Sequence, residues 1–386
     1  MFLLNLALIL LATKCGGLLV KRLGQPSVLG EVLAGIIIGP SLLGLVAPSQ
    51  GLKDLAELGV ILLMFIAGLE TDIHELKATG FASTMIACGG VLLPFLTGPL
   101  IAKLFGFSMA QGIILGTILT ATSVSISVQT LLDLGFLKSK QGMAILGAAV
   151  IDDILGIIVL TVVIGVTGQG HDSVLLLILK MLLYFLLATV IGIRFTGKIL
   201  ALAVRIRLKE SLLGVTLAVA FIFAYVAEIS GVAAITGAYL FGVLISRTGF
   251  KARISERVEI LGYGFLIPMF FAGIGLEANL HTFDNQGLLF SLAFIAVAIL
   301  SKIVGCGLTS RMIGFNWRQS MQIGFGMIPR AEVALVIASL ALKNDLINQS
   351  MFSSVVLLVV VTTVVTPPLL KLVFSNEPKQ TVEAVA

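Results

Sequence analysis

Charge is what this chain has least of: 12% of its 386 residues are Asp, Glu, Lys or Arg, against 58% hydrophobic, and only three are histidine. A soluble domain needs polar side chains to cover its surface, so this scarcity excludes a water-soluble globule, and the mean hydropathy of +1.13 agrees. No polar stretch is long enough for a soluble domain, the residues from Ser375 to Ala386 included. A regulatory nucleotide-binding domain is therefore not expected on this chain. Cys15, Cys88 and Cys306 fall in separate apolar runs without a CxxC pair, which gives no support to a disulfide framework or a thiolate metal site. His74, His171 and His281 lie in loops without metal-ligand spacing. Gly16-Gly17 and Gly35 to Gly39 lack a strand-loop-helix setting, so they read as helix-packing positions and not as a nucleotide cradle. The pI near 9.1 would suit nucleic acid, but the basic residues are confined to short loops. No nucleic-acid partner, cofactor or enzymatic constellation is expected.

What remains is apolar sequence. Polar and Gly/Pro clusters cut it into about thirteen segments of transmembrane length, near 1–20, 26–44, 55–70, 81–105, 109–132, 141–167, 172–203, 211–229, 232–247, 257–276, 286–313, 318–342 and 350–374. The expected fold is an all-α polytopic membrane protein forming a single transporter unit. Met1 to Val20 carries Lys14 and lacks a basic n-region and a small-residue cleavage site, so it reads as a mature span. Alternate loops differ in charge. One set holds 18 of the 25 Lys and Arg residues, among them Lys21, Arg22, Lys77, Lys138, Lys140, Arg205, Arg253 and Arg311, the other only Lys53, Lys103 and Lys343. Basic loops stay in the cytoplasm, which puts the N-terminus outside and the C-terminus inside.

The chain also repeats itself. Met64-Phe65-Ile66-Ala67-Gly68-Leu69-Glu70 returns as Met269-Phe270-Phe271-Ala272-Gly273-Ile274-Gly275-Leu276-Glu277, and Gly30-Glu31-Val32-Leu33-Ala34-Gly35 resembles Gly237-Ala238-Tyr239-Leu240-Phe241-Gly242. Loop charges place Glu70 at the cytoplasmic end of its span and Glu277 at the external end of its own, so the repeats read as inverted. Inverted-repeat transporters set their site at the midplane, between discontinuous helices. Two such breaks stand at equivalent positions: the hydroxyl-rich Thr120 to Ser127, and Met327-Ile328-Pro329-Arg330-Ala331-Glu332, where Pro329 has no amide proton to continue a helix.

Against this background two acids stand out, Asp152 and Asp153 in the middle of an apolar span. A carboxylate at the bilayer centre costs roughly 2.5–3.5 kcal/mol on insertion scales, so the pair requires a partner or a function. Adjacent residues on a helix point about 100° apart, which divides the work between them. Lys302, deep in its own span, can hold one acid while the other alternates between a proton and a metal cation. Burial, the like-charged neighbour and the lysine pull on the protonation equilibrium in opposite directions, so cation and proton compete for one site. A hard monovalent cation takes oxygen ligands, which Thr122 and Ser123 supply at the first break. Simpler readings stay open: an ion pair that only orders the bundle, Ser/Thr helix packing, and a structural Arg330–Glu332 salt bridge.

Asp152-Asp153, Thr122-Ser123, Lys302, Pro329-Arg330-Ala331-Glu332-Val333 and Ala67-Gly68-Leu69-Glu70 together resemble the bacterial monovalent cation/proton antiporters, in particular the NapA-like sodium/proton branch. The resemblance covers essentially the whole chain; Ala331 stands where that family often has Gly. It implies crossed discontinuous helices, a homodimer and an elevator-like motion of a core domain, approximately 55–167 and 257–374, against a dimerisation domain, approximately 1–44 and 172–247. It places the ion-binding and proton-carrying acid at Asp153, with Na⁺ held by Asp153, Asp152, Thr122 and Ser123. Asp152 becomes the partner of Lys302, and Glu332 and Arg330 support the crossing. The expected activity is electrogenic exchange of Na⁺ or Li⁺ for H⁺ by alternating access across a bacterial cytoplasmic membrane, serving pH and sodium homeostasis. Electroneutral or K⁺-coupled exchange on the same fold is the alternative, and a sodium-coupled symporter of an organic solute a more distant one.

Overall fold

The computed structural model describes residues 2–375 apart from 24, 72, 167–173, 207, 278–284, 331 and 344; within helices some side chains, those of Asp153, Glu332 and His74 among them, lie outside the described residues, as do His171 and His281 entirely. Every regular element described is helical. In chain order these are α1 (Phe2–Arg22), α2 (Ser27–Ile38), α3 (Gln50–Glu70), α4 (Ile73–Leu104), α5 (Met109–Thr120), α6 (Val124–Leu134), α7 (Lys140–Val166), α8 (Val174–Arg205), α9 (Ser211–Ile229), α10 (Ala234–Ser246), α11 (Lys251–Leu261), α12 (Ile267–Glu277), α13 (Asn285–Met312), α14 (Trp317–Gly326), α15 (Glu332–Lys343) and α16 (Gln349–Phe374). A π turn at Gly262–Leu266 joins α11 to α12. Eight helices among the described residues, with α5–α6 and α11–α12 each taken as one, are long and apolar enough to cross a membrane. A bilayer core is about 30 Å thick and a helix rises 1.5 Å per residue, which sets that length at about 20 residues.

Two expected spans are not continuous helices. The segment read as 109–132 is α5 and α6, parted at 121–123, and that read as 318–342 is α14 and α15, with 327–330 non-helical between them. A third, read as 26–44, is helical only over α2. Gly39 there is extended, with φ −79° and ψ −176°, because the ring of Pro40 disfavours helical geometry in the residue before it. The chain then folds back on the end of α2, Leu43 and Val46 donating to the carbonyls of Ile37 and Ile38.

The chain divides into two compact units. One comprises 1–49, 74–163 and 271–386, the other 50–73 and 164–270. Among the candidate spans within the first, α5–α6 is the most buried, with 78% of its apolar stretch covered, whereas α1 buries 17% and turns Leu3, Leu4, Leu11, Leu18 and Leu19 outward. In water such a stripe would drive aggregation; in lipid it costs nothing.

Close helix contacts in the two units correspond. In the first, a methyl group on Gly35 would run into the Ala272 carbonyl, and one on Gly275 into that of Val32; in the second, Gly242 abuts Phe65 and Gly68 abuts Tyr239 in the same way. Adding 207 to 35 and 32 gives 242 and 239, and subtracting 207 from 272 and 275 gives 65 and 68, so each contact has its counterpart in the repeat. Backbone atoms cannot swing aside as side-chain ends can. Gly35→Ala and Gly242→Ala should each lower stability by about 1–3 kcal/mol, the usual cost of overpacking, whereas Gly80→Ala, with nothing within 4 Å, should not. Thermal midpoints in detergent decide this, and an unchanged midpoint for both tight variants would refute the crossings.

Candidate functional site

The site lies where the two interrupted helices meet. α5 closes with Thr120 donating to the Thr117 carbonyl at 2.7 Å, and the chain leaves helical geometry at Ala121 (φ −58°, ψ 133°) and Ser123 (φ −85°, ψ 112°). An interrupted helix frees amides at one end and carbonyls at the other, and inside a membrane no lipid can satisfy them. Here the breaks satisfy each other. The Ser123 amide donates to the Pro329 carbonyl at 2.7 Å, and the Ser127 hydroxyl, one turn into α6, donates to the Gly326 carbonyl at the end of α14. Ser123 and Ser125 share a further hydroxyl contact of 3.1 Å.

Arg330 completes the second break. Its guanidinium is fully buried, and Nη1 donates to the Met327, Ile328 and Pro329 carbonyls while Nη2 reaches Ala298 on α13 at 3.4 Å. A cation at a helix C-terminus is favoured by the dipole, and this one takes the place of the amides that a continuous helix would have offered. The Arg330 amide donates in turn to the Thr362 hydroxyl on α16 at 3.1 Å, and Thr363 approaches the Arg330 carbonyl at 3.5 Å. The Glu332 side chain, expected to support the crossing, lies outside the described residues.

Beside the crossing stands an ion pair. Lys302 on α13 places Nζ 3.2 and 3.1 Å from the two carboxylate oxygens of Asp152 on α7, and neither side chain has any exposed surface. Thr122, 3% exposed, turns its hydroxyl toward this carboxylate without closing a hydrogen bond of ordinary geometry, and Arg330 is near enough to act on it electrostatically. Lys302 has room because α4 offers Gly90: a methyl there would sit 3.2 Å from Nζ and 2.6 Å from the Cys306 sulfur. The structure thus brings together Asp152, Lys302, Thr122, Ser123 and Arg330. Asp153 follows Asp152 in α7, its side chain outside the described residues.

Ser127, Thr362, Thr363 and Gly90 escaped the sequence reading. Ser127 belongs to the hydroxyl-rich run and could have been separated from it by its spacing of four from Ser123. Thr362-Thr363, in an apolar span, left a legible signal; Gly90 left none, since glycine is frequent throughout this chain.

Chemically the crossing offers what a monovalent cation needs: a carboxylate, a hydroxyl with free capacity and ends of broken helices, in a dry interior where charge is felt strongly. The transmembrane sodium/hydrogen exchanger family matches residues 7–375 of the chain. The Na(+)/H(+)-K(+) antiporter GerN of Bacillus cereus is 42% identical over 378 residues, covering 98% of this chain and 97% of its own length. An Enterococcus hirae Na(+)/H(+) antiporter is 36% identical over 369 residues, covering 95% and 96%. Among solved structures, the sodium proton antiporter MjNhaP1 from Methanocaldococcus jannaschii superposes with a TM-score of 0.68 at 17% identity, covering 96% of this chain and 95% of its own, which speaks to fold.

A buried pair costs several kcal/mol of desolvation per ion, and removing one partner strands the other at about 3–5 kcal/mol. Asp152→Asn and Lys302→Met should therefore each destabilise the detergent-solubilised protein strongly, while the double variant recovers much of the loss. A double variant as unstable as the two single losses added together would show that the pair does not hold α7 to α13.

Proposed function

Because the chain belongs to the sodium/hydrogen exchanger family, we propose that it exchanges Na⁺ or Li⁺ for H⁺ across a bacterial cytoplasmic membrane, at a site made by Asp153, Asp152, Thr122 and Ser123. The observation that carries this reading is the Ser123–Pro329 hydrogen bond, which sets two broken helix ends against a carboxylate already held by a buried lysine. Asp153 is the acid that binds either cation or proton, free to do so because Asp152 engages Lys302 with both oxygens. Exclusive occupancy by one or the other, with access to one side of the membrane at a time, makes exchange obligatory. Movement of net charge follows if two protons cross for each cation, the second leaving Lys302 when the cation approaches Asp152.

The same reading counts α5–α6, α11–α12 and α14–α15 as single spans, which brings the total to about thirteen, in two inverted repeats supported by the corresponding glycine contacts. Ser27 bonds to Asp133, joining the turn before α2 to the end of α6. Both neighbourhoods belong to the Lys/Arg-rich set of loops, which supports a cytoplasmic C-terminus and an external N-terminus. The core that carries the site, 55–167 and 257–374, shares 74–163 and 271–374 with the first compact unit. It works by an elevator-like displacement in a homodimer, whose other domain is 1–44 and 172–247. Potassium is the second reading, favoured by the name of the 42%-identical Na(+)/H(+)-K(+) antiporter.

In everted vesicles a pH-sensitive dye should dequench on addition of NaCl or LiCl, and Asp153→Asn should abolish the response; full activity in that variant would end the assignment, and a response to KCl alone would favour the potassium reading. Lys302→Gln separates the stoichiometries in proteoliposomes. Exchange that no longer responds to a clamped potential supports a proton carried on Lys302, whereas unchanged charge movement with lower thermal stability assigns it a structural role.

A further inference from the structure

Asp133 stands in the last turn of α6, where the carbonyl end of the helix repels a carboxylate. Within its own helix it is supported only by Gln129, one turn earlier. Both oxygens are nevertheless engaged: Oδ2 accepts from the Ser27 amide at 2.8 Å and the Ser27 hydroxyl at 2.7 Å, and Oδ1 accepts from Gln129 Nε2 at 2.7 Å. Ser27 opens α2, and Pro26 before it supplies no side-chain cap. The free amide end of α2 thus takes its cap from a residue 106 positions away, in a charge-assisted bond of the stronger kind. Glu31, one turn along α2, lies within electrostatic reach of Asp133 and of Lys14 on α1. When ionised, Glu31 opposes the Asp133 carboxylate, and Lys14 offsets that charge.

Its position gives it consequence. α6 begins beside Ser123, whose amide is bonded into the crossing, and is a single short helix ending at Leu134. Any displacement that turns the crossing toward the opposite side of the membrane carries Asp133 with it. We infer that the Asp133–Ser27 contact is a latch of the transport cycle, closed in the conformation described here and opened each time the site changes sides, with Asp133 as its positioning residue. This rests on the antiport reading above. With the latch closed, α2 is docked on α6.

The test is a reversible cross-link in the full-length chain. In Ser27→Cys/Asp133→Cys, with Cys15 and Cys88 replaced by Ala and the buried Cys306 retained, oxidation with copper phenanthroline should close a disulfide, read by mass spectrometry. Sodium-dependent proton movement in proteoliposomes should fall to background when oxidised and return with dithiothreitol; the single-cysteine variants should be indifferent to both reagents. Undiminished exchange by the cross-linked protein would overturn the latch and leave a permanent tether. Failure of the pair to cross-link in protein that elutes as folded would overturn the proximity itself. Absence of exchange before oxidation and in the unmodified chain would instead refute the antiport reading, since cross-linking yield is measured without transport. As an independent check, Asp133→Asn, which keeps an acceptor for the Ser27 amide, should retain more activity than Asp133→Ala; equal rates for the two would also count against the latch.

Discussion

The contact of the Lys302 ammonium with both oxygens of Asp152 is the interaction to which the surrounding structure is fitted. Neither group has solvent, so each is tolerable only while the other stays within reach. That requirement fixes α7 against α13 and determines what α4 can present at their junction. Gly90 faces the Lys302 side chain and Cys306 because any larger residue would occupy the space of the ammonium or the sulfur. Within the membrane, therefore, one electrostatic necessity dictates a steric one on a third helix.

The crossing obeys the same necessity for backbone groups. Four solutions are used at once: an amide of one break given to a carbonyl of the other, a serine hydroxyl on α6 given to the end of α14, a guanidinium over several freed carbonyls, and threonine hydroxyls from α16. These groups are answered partly from the opposite break, partly from α6 and α16 and partly by Arg330 of the break itself, so the two breaks depend on each other. On the antiport reading, the half-helices attached to the crossing move with it, so the bond at the far end of α6 is tied to the position of the site.

Much of this was legible in the sequence, for identifiable reasons. Asp152-Asp153, Lys302 and Arg330 announced themselves because a charge in an apolar span is costly and needs explanation. The second break was marked by Pro329, which cannot donate to a helix, and the first by a cluster of hydroxyls able to stand in for backbone partners. Pairing of Asp152 with Lys302 was expected from the family resemblance, and the two side chains do meet. The early end of α2 was also written in Gly39-Pro40, but an apolar segment hid it, since hydrophobicity continues to Leu45 after helical geometry stops. Arg330 was weighed as a salt-bridge residue; its described partners are carbonyls, because the unsatisfied groups nearest to it belong to the break itself. Asp133 could not be read at all. Nothing local distinguishes an acid held at a helix end from a solvated one, and its partner is a backbone amide 106 positions away.

The two buried cations of the site differ in a way that bears on exchange. Arg330 keeps its proton under all ordinary conditions and is bound to carbonyls, which do not titrate, so its charge is a fixed background for every step. Lys302 is instead paired with a carboxylate whose two oxygens are both engaged by it, and on the electrogenic reading proposed above its proton is the one that leaves. A cation that draws on Asp152 must withdraw an oxygen from the ammonium, and an ammonium deprived of its counterion in a dry interior loses the reason to remain charged. On that reading, cation arrival and proton departure are linked through one shared carboxylate, without any need for the two ions to touch. Replacing the lysine by an arginine would keep a positive charge beside Asp152, but on a group that does not release its proton.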